Sequence, residues 1–157
     1  MKKPENIRFI AQAAIIASMY VALTYLFAPI SSGLMQVRIS EALTVLPYFT
    51  PAAIPGLFVG CLISNIIVGN GAIDIIFGSL ATLVAAFLSY KMPRRWLVPL
   101  PSVVVNAIVV GYILHVVLEI PFFVTMGWVA LGQTISCYLL GYILMLALER
   151  HKDRVFF

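Results

Sequence analysis

The sequence predicts an all-α integral membrane protein with six transmembrane helices. Hydrophobic residues make up 62% of the 157 residues and charged residues 10%, whereas a soluble domain carries about 25% charged residues. The long apolar runs are apolar on both faces, unlike the alternating strands of a transmembrane β-barrel. At roughly 20 residues per span, the length fits one six-helix domain that covers residues 1–157.

Turn signals set the order of the predicted spans. Pro29 ends the first span, a Gly-Asn-Gly turn separates the third from the fourth, and Pro101 opens the fifth as a favoured first helical residue. The predicted spans cover residues 7–27, 34–50, 52–68, 72–90, 101–118 and 124–148.

The basic residues predict the orientation. With six spans, three clusters of lysine and arginine share one side of the membrane, and the positive-inside rule makes that side cytoplasmic. Both termini are therefore predicted to be cytoplasmic, in a multi-pass protein of the plasma membrane. The clusters are Lys2, Lys3 and Arg8; Lys91, Arg94 and Arg95; and Arg150, Lys152 and Arg154.

Several functional classes are disfavoured. No GxxxxGK[ST] phosphate-binding loop occurs, so the chain does not energise itself with ATP by that route. No nucleophile stands at a recognisable spacing from a base, and the two histidines fall on opposite predicted sides, which argues against a metal site. The net charge of +4 lies at the span ends and does not indicate nucleic-acid binding. We expect no enzyme and no bound cofactor.

The stretch VRISEALTVLPYFTPAAIP stands out because it places charges and prolines in an apolar chain. Arg38 and Glu41 are three residues apart, so in a helix they share a face, and we expect them to pair. The alternative is that Arg38 clamps an anionic ligand. Each charge costs about 2.5–3.5 kcal/mol at the bilayer centre, so such residues face a protein interior or a cavity. Prolines at every fourth position predict a short, broken helix.

Further polar residues are predicted to lie on the outer side. Glu41 and Asp74 are expected to face one ligand cavity that opens to the outside, whereas Glu119 is expected to be solvated. Carboxylates accept paired N–H donors, so a small, donor-rich or cationic solute fits better than an anion. The other candidates for this cavity are Asn65, Asn70, His115, Trp128 and Gln133.

The first span carries a pair of small residues, Ala13 and Ala17. Such spacing lets another helix approach closely in a membrane. The sequence leaves open whether that helix belongs to this chain or to a partner.

Two motifs resemble the QueT family of substrate-binding (S) components of energy-coupling factor (ECF) transporters. They read VRISEALTVLPYFTPAAIPGLFVG and SNIIVGNGAIDIIFGSLATLVAAFLSY. The resemblance implies that the chain binds solute in a bacterial membrane, while a separate transmembrane coupling protein and two ATPase subunits use ATP. It also implies that Ala13 and Ala17 dock the coupling protein, and that residues 29–37 form a lid.

The resemblance further implies a 7-deazaguanine substrate such as preQ0, preQ1 or queuine. On this hypothesis Glu41 accepts the guanine-like edge, Asp74 accepts a cationic aminomethyl arm, and Asn65 bonds the ring. Stacking is assigned to Phe77 or Trp128. Gln133 stands where many family members have a glutamate, which predicts an effect on affinity or preference.

Three alternatives remain at this point. The chain could serve another vitamin-like heterocycle within the same fold. It could be a small self-contained proton-coupled carrier, with Glu41 or Asp74 as the proton relay. It could also be a structural membrane subunit that binds no small molecule.

Overall fold

A computed structural model describes residues 3–31 and 35–150, with side chains from residue 6 onward. Most of these residues are helical and no strand occurs among them, so the all-α class is confirmed. Lys2 and the basic tail after residue 150 lie outside the described residues. The helices are α1 (Lys3–Leu26), α2 (Ala28–Ser31), a 3₁₀ helix (Ile39–Tyr48), α3 (Ala53–Val68), a π-helical turn (Asp74–Gly78), α4 (Ser79–Tyr90), a short 3₁₀ helix (Arg95–Leu97), α5 (Leu100–Leu118), α6 (Phe122–Gln133), a π helix (Thr134–Gly141) and α7 (Tyr142–Glu149).

Three helical stretches are long and apolar enough to cross a membrane: Asn6–Leu26, Arg95–Leu118 and Phe122–Glu149. Two further apolar helices, Ala53–Val68 and Asp74–Tyr90, are shorter. Large apolar side chains are exposed on the outer faces of all five stretches, as expected of helices that contact lipid.

The second predicted span has a different structure. Among its described residues, 35–50, the helical part is Ile39–Tyr48, and residues 40–47 are all buried. We call it the central segment. At a 3₁₀ rise of about 2.0 Å per residue, ten residues reach about 20 Å, short of the roughly 30 Å hydrocarbon core. Pro47 removes one backbone donor. The central segment is therefore a buried core element, not a lipid-facing helix.

The small-residue groove of α1 is filled by this chain's own α3. A Cβ atom built on Gly56 would lie 2.7 Å from the Ala13 carbonyl oxygen, and one on Gly60 would lie 3.0 Å from that of Ala17 and 2.8 Å from the Tyr20 Cβ. The contacts advance together along both helices, so α1 and α3 are parallel. The structure thus shows the packing within the chain that was one of the two alternatives for Ala13 and Ala17.

The two ends of the bundle differ in charge. At one end, Arg95 and Glu149 form an exposed ion pair of 3.0 Å, with Lys91 and Arg94 nearby in the chain. At the opposite end, Ser31, Asn70 and Leu118, which lie at or just after the C-terminal ends of α2, α3 and α5, line one cavity. Lys91, Arg94 and Arg95 therefore lie at the end opposite the cavity, whereas Arg38 lines the cavity itself.

Candidate functional site

A cavity of about 370 Å³ lies at the end of the bundle opposite Lys91, Arg94 and Arg95. Small-molecule sites commonly have volumes of about 300–1,000 Å³ with a few polar groups on an apolar wall. One wall is aliphatic, formed by Ile113, Leu114, Val117 and Leu118 of α5. The polar lining comes from other elements: Ser31, Gln36, Arg38, Asn70 and Asp74.

Arg38 and Asp74 form a buried ion pair in the wall of this cavity. Arg38 Nη2 donates to Asp74 Oδ2 at 3.1 Å, and the two side chains are 6% and 12% exposed. The expected pairing of Arg38 with Glu41 is therefore wrong. Both carboxylate oxygens of Glu41 already accept hydrogen bonds from other residues, and Asp74 reaches Arg38 from another helix. The pair brings no net charge to the cavity.

Two residues that line the cavity have unused hydrogen-bonding capacity. Asp74 Oδ1 and Ser31 Oγ are buried and have no hydrogen-bond partner in the described part of the chain. Asp74 Oδ1 packs directly against Gly78, since a Cβ atom built on Gly78 would lie 2.7 Å from that oxygen. Leaving such an oxygen unpaired costs about 1–3 kcal/mol. Buried polar atoms without a partner are rare in native structures and call for an explanation such as a ligand.

Two asparagines hold Asp74 in place. Asn65 Nδ2 donates to the Asp74 backbone oxygen at 3.3 Å, and Asn70 Nδ2 donates to Asn65 Oδ1 at 2.9 Å. Gly69 ends α3 in the left-handed conformation, with φ of 79°, which glycine adopts without steric cost. Asn70 lines the cavity, whereas Asn65 lies behind Asp74. The π-helical turn that begins at Asp74 is a local geometry found frequently at functional sites.

Gln36 adds a polar group with an unusual backbone. It lines the cavity, is 7% exposed, and has a positive φ of 44°. For a residue with a Cβ atom this conformation costs about 1–2 kcal/mol. Its neighbour Met35 lies against α6, where a Cβ atom on Gly132 would collide with the Met35 carbonyl oxygen. Gly132 therefore allows the chain to approach α6 at this point.

Glu41 lies in a different environment, outside the cavity lining. It is 1% exposed, and Tyr20 of α1 donates to its Oε1 at 2.5 Å. Asn106 of α5 donates to its Oε2 at 3.4 Å. We call Glu41, Tyr20 and Asn106 the Glu41 cluster. A second bond from α1 to the central segment, Thr24 Oγ1 to Ser40 Oγ at 2.7 Å, runs beside it.

Gln133 is buried beyond the Glu41 cluster and also outside the cavity lining. Its Oε1 accepts from Cys137 Sγ at 3.4 Å. Cys137 Sγ lies 3.6 Å from the Glu41 backbone oxygen, which Thr44 Oγ1 also approaches at 2.6 Å. Gln133 therefore belongs to the contact between the central segment and the last helical stretch.

The remaining predicted site residues also lie outside the described cavity lining. Phe77 is 54% exposed and Trp128 is 39% exposed on the outer surface. His115 is half-buried, and its Nδ1 contacts the Ile120 carbonyl oxygen at 2.6 Å. The described wall of the cavity is aliphatic, so it places no ring where stacking was predicted. Glu119 is exposed, as expected.

Sequence reasoning missed Tyr20 and Asn106 around Glu41 and did not name Ser31 and Gln36 as site residues. The resemblance implied that residues 29–37, which include both, form a lid, and residues 32–34 of that segment lie outside the described part of the chain. Uncharged polar residues cross a membrane at modest cost, so they stand out less than charges. The available signals were a single amide in the middle of a predicted span, at Asn106, and an amide two residues before Arg38. Among residues 6–31 and 35–150, no group of three or more histidine, cysteine, aspartate or glutamate residues could hold a metal ion.

The cavity presents hydrogen-bond donors from Arg38 and an acceptor from Asp74 side by side, at no net charge. Such a wall can bind a polar, uncharged heterocycle by matching its donors and acceptors. The fold and this cavity define a helical protein, with membrane-compatible helices, that can hold a small solute.

Residues 10–150 match the QueT transporter family, and the chain belongs to that family. The family resemblance is thereby confirmed, and so is the expectation of a transport protein that is not an enzyme. A similar curated protein is the "Queuosine precursor transporter QueT" of Lactococcus lactis subsp. cremoris (strain MG1363). It is 30% identical over 92% of this chain and 94% of that protein. No solved structure matches the chain.

Proposed function

We propose that this chain is the substrate-binding subunit of an ECF transporter and captures a queuosine precursor of the 7-deazaguanine class. The observation that carries the proposal is the cavity of about 370 Å³ with the Arg38–Asp74 pair in its wall, in a chain of the QueT transporter family. The name of the Lactococcus relative supports the choice of substrate class.

The chemistry of the cavity wall supports a guanine-like ligand. The guanine edge presents a carbonyl oxygen, a ring N–H and an exocyclic amine in a row. A carboxylate accepts the two N–H donors, and a guanidinium donates to the carbonyl. We assign these roles to Asp74 and Arg38. Glu41, which the sequence favoured for the guanine edge, becomes a positioning residue because both its oxygens are occupied within the protein.

The proposed membrane topology and partner subunits are those implied by the family resemblance. We propose six membrane segments, counting the central segment, with both termini in the cytoplasm and the cavity open to the outside of a bacterial plasma membrane. The basic residues at the end opposite the cavity support this orientation. A separate coupling protein and two ATPase subunits use ATP. Docking of the coupling protein is assigned to α1, where Ala14 and Ser18 are exposed beside the Ala13–Ala17 pair.

Calorimetric titration of the purified chain tests the substrate class. The ligands are preQ0, preQ1 and queuine, with riboflavin and thiamine as controls in the same detergent buffer. We expect saturable binding of at least one deazaguanine and none of the two vitamins. Binding of a vitamin without any deazaguanine would assign the chain to another heterocycle, and binding of neither class would contradict the proposed role.

Transport by the chain in liposomes tests the division of labour. We expect no uptake of preQ0 by the chain alone under a pH gradient. Uptake is expected when the coupling protein and the ATPase subunits are reconstituted with it and ATP is supplied. Accumulation of preQ0 by the chain alone would instead identify a self-contained proton-coupled carrier.

A further inference from the structure

Gln36 has a backbone conformation that its position in the chain does not explain. The described non-glycine residues with positive φ are Gln36, at 44°, and Glu119, at 57°. Glu119 is exposed and follows the last residue of α5, where helices commonly adopt this conformation. Gln36 ends no described helix, is 7% exposed, and lines the cavity. Strained residues of this kind cluster at ligand-binding sites.

The surrounding structure holds Gln36 at the cavity. Met35 lies against Gly132 of α6, where any Cβ atom would collide with the Met35 carbonyl oxygen. Two residues further on, Arg38 is fixed by Asp74 at 3.1 Å. Gln36 and the Arg38–Asp74 pair line the same cavity, so Gln36 lies within reach of a ligand that contacts the pair.

The side chains of Arg38, Asp74 and Gln36 differ in their hydrogen-bonding capacity. Arg38 can only donate hydrogen bonds, ionised Asp74 can only accept, and the carboxamide of Gln36 can do both. A carbonyl next to a ring N–H satisfies Arg38 and Asp74 together. An amino group in place of the carbonyl sets donor against donor at Arg38. A site built to hydrogen-bond one group rejects an analogue that leaves buried polar groups unpaired.

We propose that Gln36 is a specificity-determining residue of this cavity. Its carboxamide donates to the ligand carbonyl beside Arg38, while Asp74 accepts from the adjacent ring N–H. The cavity thereby selects heterocycles with a carbonyl next to a ring N–H over their 6-amino counterparts. The inference rests on the proposed function, because it concerns the same cavity and the same ligand class.

The test compares preQ0 with its 6-amino counterpart, 2,6-diamino-7-cyano-7-deazapurine, by calorimetry on the full chain. This counterpart keeps the exocyclic 2-amine, so the two compounds differ at the carbonyl and the adjacent ring N–H. We expect the unmodified protein to prefer preQ0 by about 100-fold or more, since a site built to hydrogen-bond one group can discriminate by up to about 10⁴–10⁵-fold. Gln36→Gly removes the carboxamide and also the strain, so it should melt no lower than the parent and yet bind preQ0 about tenfold more weakly. Gln36→Glu replaces the donor by an acceptor and should narrow the preference by about tenfold.

Glu119→Gly is the matched control, because it relieves the other positive φ away from the described cavity lining. It should leave both affinities unchanged. If the unmodified protein binds neither of these two compounds and also neither preQ1 nor queuine, the proposed function fails and the inference fails with it. If preQ1 or queuine binds in place of preQ0, that ligand and its 6-amino counterpart take the place of the pair in every comparison. If preQ0 binds but Gln36→Gly binds it equally well, or if both compounds bind the unmodified protein equally, the inference is overturned while the proposed function stands.

Discussion

Arg38 and Glu41 are three residues apart in the chain, yet the Arg38–Asp74 pair and the Glu41 cluster have different surroundings. Each Glu41 oxygen accepts a hydrogen bond, one from α1 and one from α5. Asp74 has one oxygen on Arg38 and the other without a partner in the described chain. Of the two groups, the Arg38–Asp74 pair lines the cavity and the Glu41 cluster does not.

The difference separates a structural role from a binding role. A fully satisfied buried network rigidifies a core, and the Glu41 cluster ties the central segment to two helices. An ion pair beside a cavity that retains an unpaired polar atom can form a further hydrogen bond to a ligand. Charge and burial alone did not distinguish them, since both are acidic and the whole residues are 1% exposed for Glu41 and 8% for Asp74. The predictions below test that assignment, from the largest expected effect on affinity to the smallest.

Asp74→Asn should have the largest effect. It replaces one carboxylate oxygen by an amide donor, so the side chain no longer has two oxygens to share between Arg38 and the ligand N–H groups. It also leaves Arg38 buried without a counter-charge. We expect preQ0 affinity to fall about 100-fold, or about 2.7 kcal/mol. We also expect the free energy of unfolding to fall by about 3 kcal/mol, which a lower melting temperature in detergent would report.

Glu149→Gln is the control for this prediction, because it breaks the exposed Arg95–Glu149 pair at the opposite end. Exposed pairs contribute about 0–1 kcal/mol, so melting and affinity should stay close to the parent. Unchanged preQ0 affinity in a folded Asp74→Asn protein would remove Asp74 from the site and erase the contrast between the two carboxylates.

Gly132→Ala should have an intermediate effect. Its Cβ atom would collide with the Met35 carbonyl oxygen, so the segment that carries Gln36 must move. Overpacking of this kind costs about 1–3 kcal/mol, and we expect preQ0 affinity to fall by about tenfold. Titration with preQ0 and thermal unfolding of the parent and the Gly132→Ala protein, run in parallel, measure this effect.

Gly127→Ala is the matched substitution on the same helix, because nothing lies within 4 Å of its added Cβ atom. Alanine is about 1 kcal/mol more favourable than glycine in a helix, so this variant should melt no lower than the parent and bind preQ0 normally. Equal affinities in the two glycine variants would show that the packing at Gly132 does not shape the site.

Glu41→Gln should have the smallest effect on affinity and a clear effect on stability. The new amide sets a donor against Tyr20 or Asn106, and hydrogen bonds to a charged group contribute about 1.5–3 kcal/mol. We expect a lower melting temperature but preQ0 affinity within about threefold of the parent. Tyr20→Phe should behave similarly. An affinity loss larger than that of Asp74→Asn would reverse the roles of the two carboxylates.

The sequence predicted those features that depend on composition and local pattern. The apolar runs predicted an all-α protein, and the prolines and glycines placed α3 and α5 within a residue or so of their observed bounds. The charges in the stretch around Arg38 and Glu41 correctly predicted burial inside protein, because an ionised group is costly in lipid.

The remaining features depend on distant residues. Arg38 and Asp74 are 36 positions apart, and helix spacing favoured the nearer Glu41. The central segment was predicted as a longer span because hydropathy does not separate burial in protein from burial in lipid. Gln36 carries no charge, and its backbone and that of Met35 pack against Gly132, nearly a hundred positions away.

The structure of the chain with bound preQ0 tests the central claim most directly. We expect the ligand in the cavity, with its ring N–H within hydrogen-bond distance of an Asp74 carboxylate oxygen and its carbonyl beside Arg38. Glu41 should still accept from Tyr20 and Asn106, as it does without ligand. A ligand bonded to Glu41, or bound away from Asp74, would contradict the account.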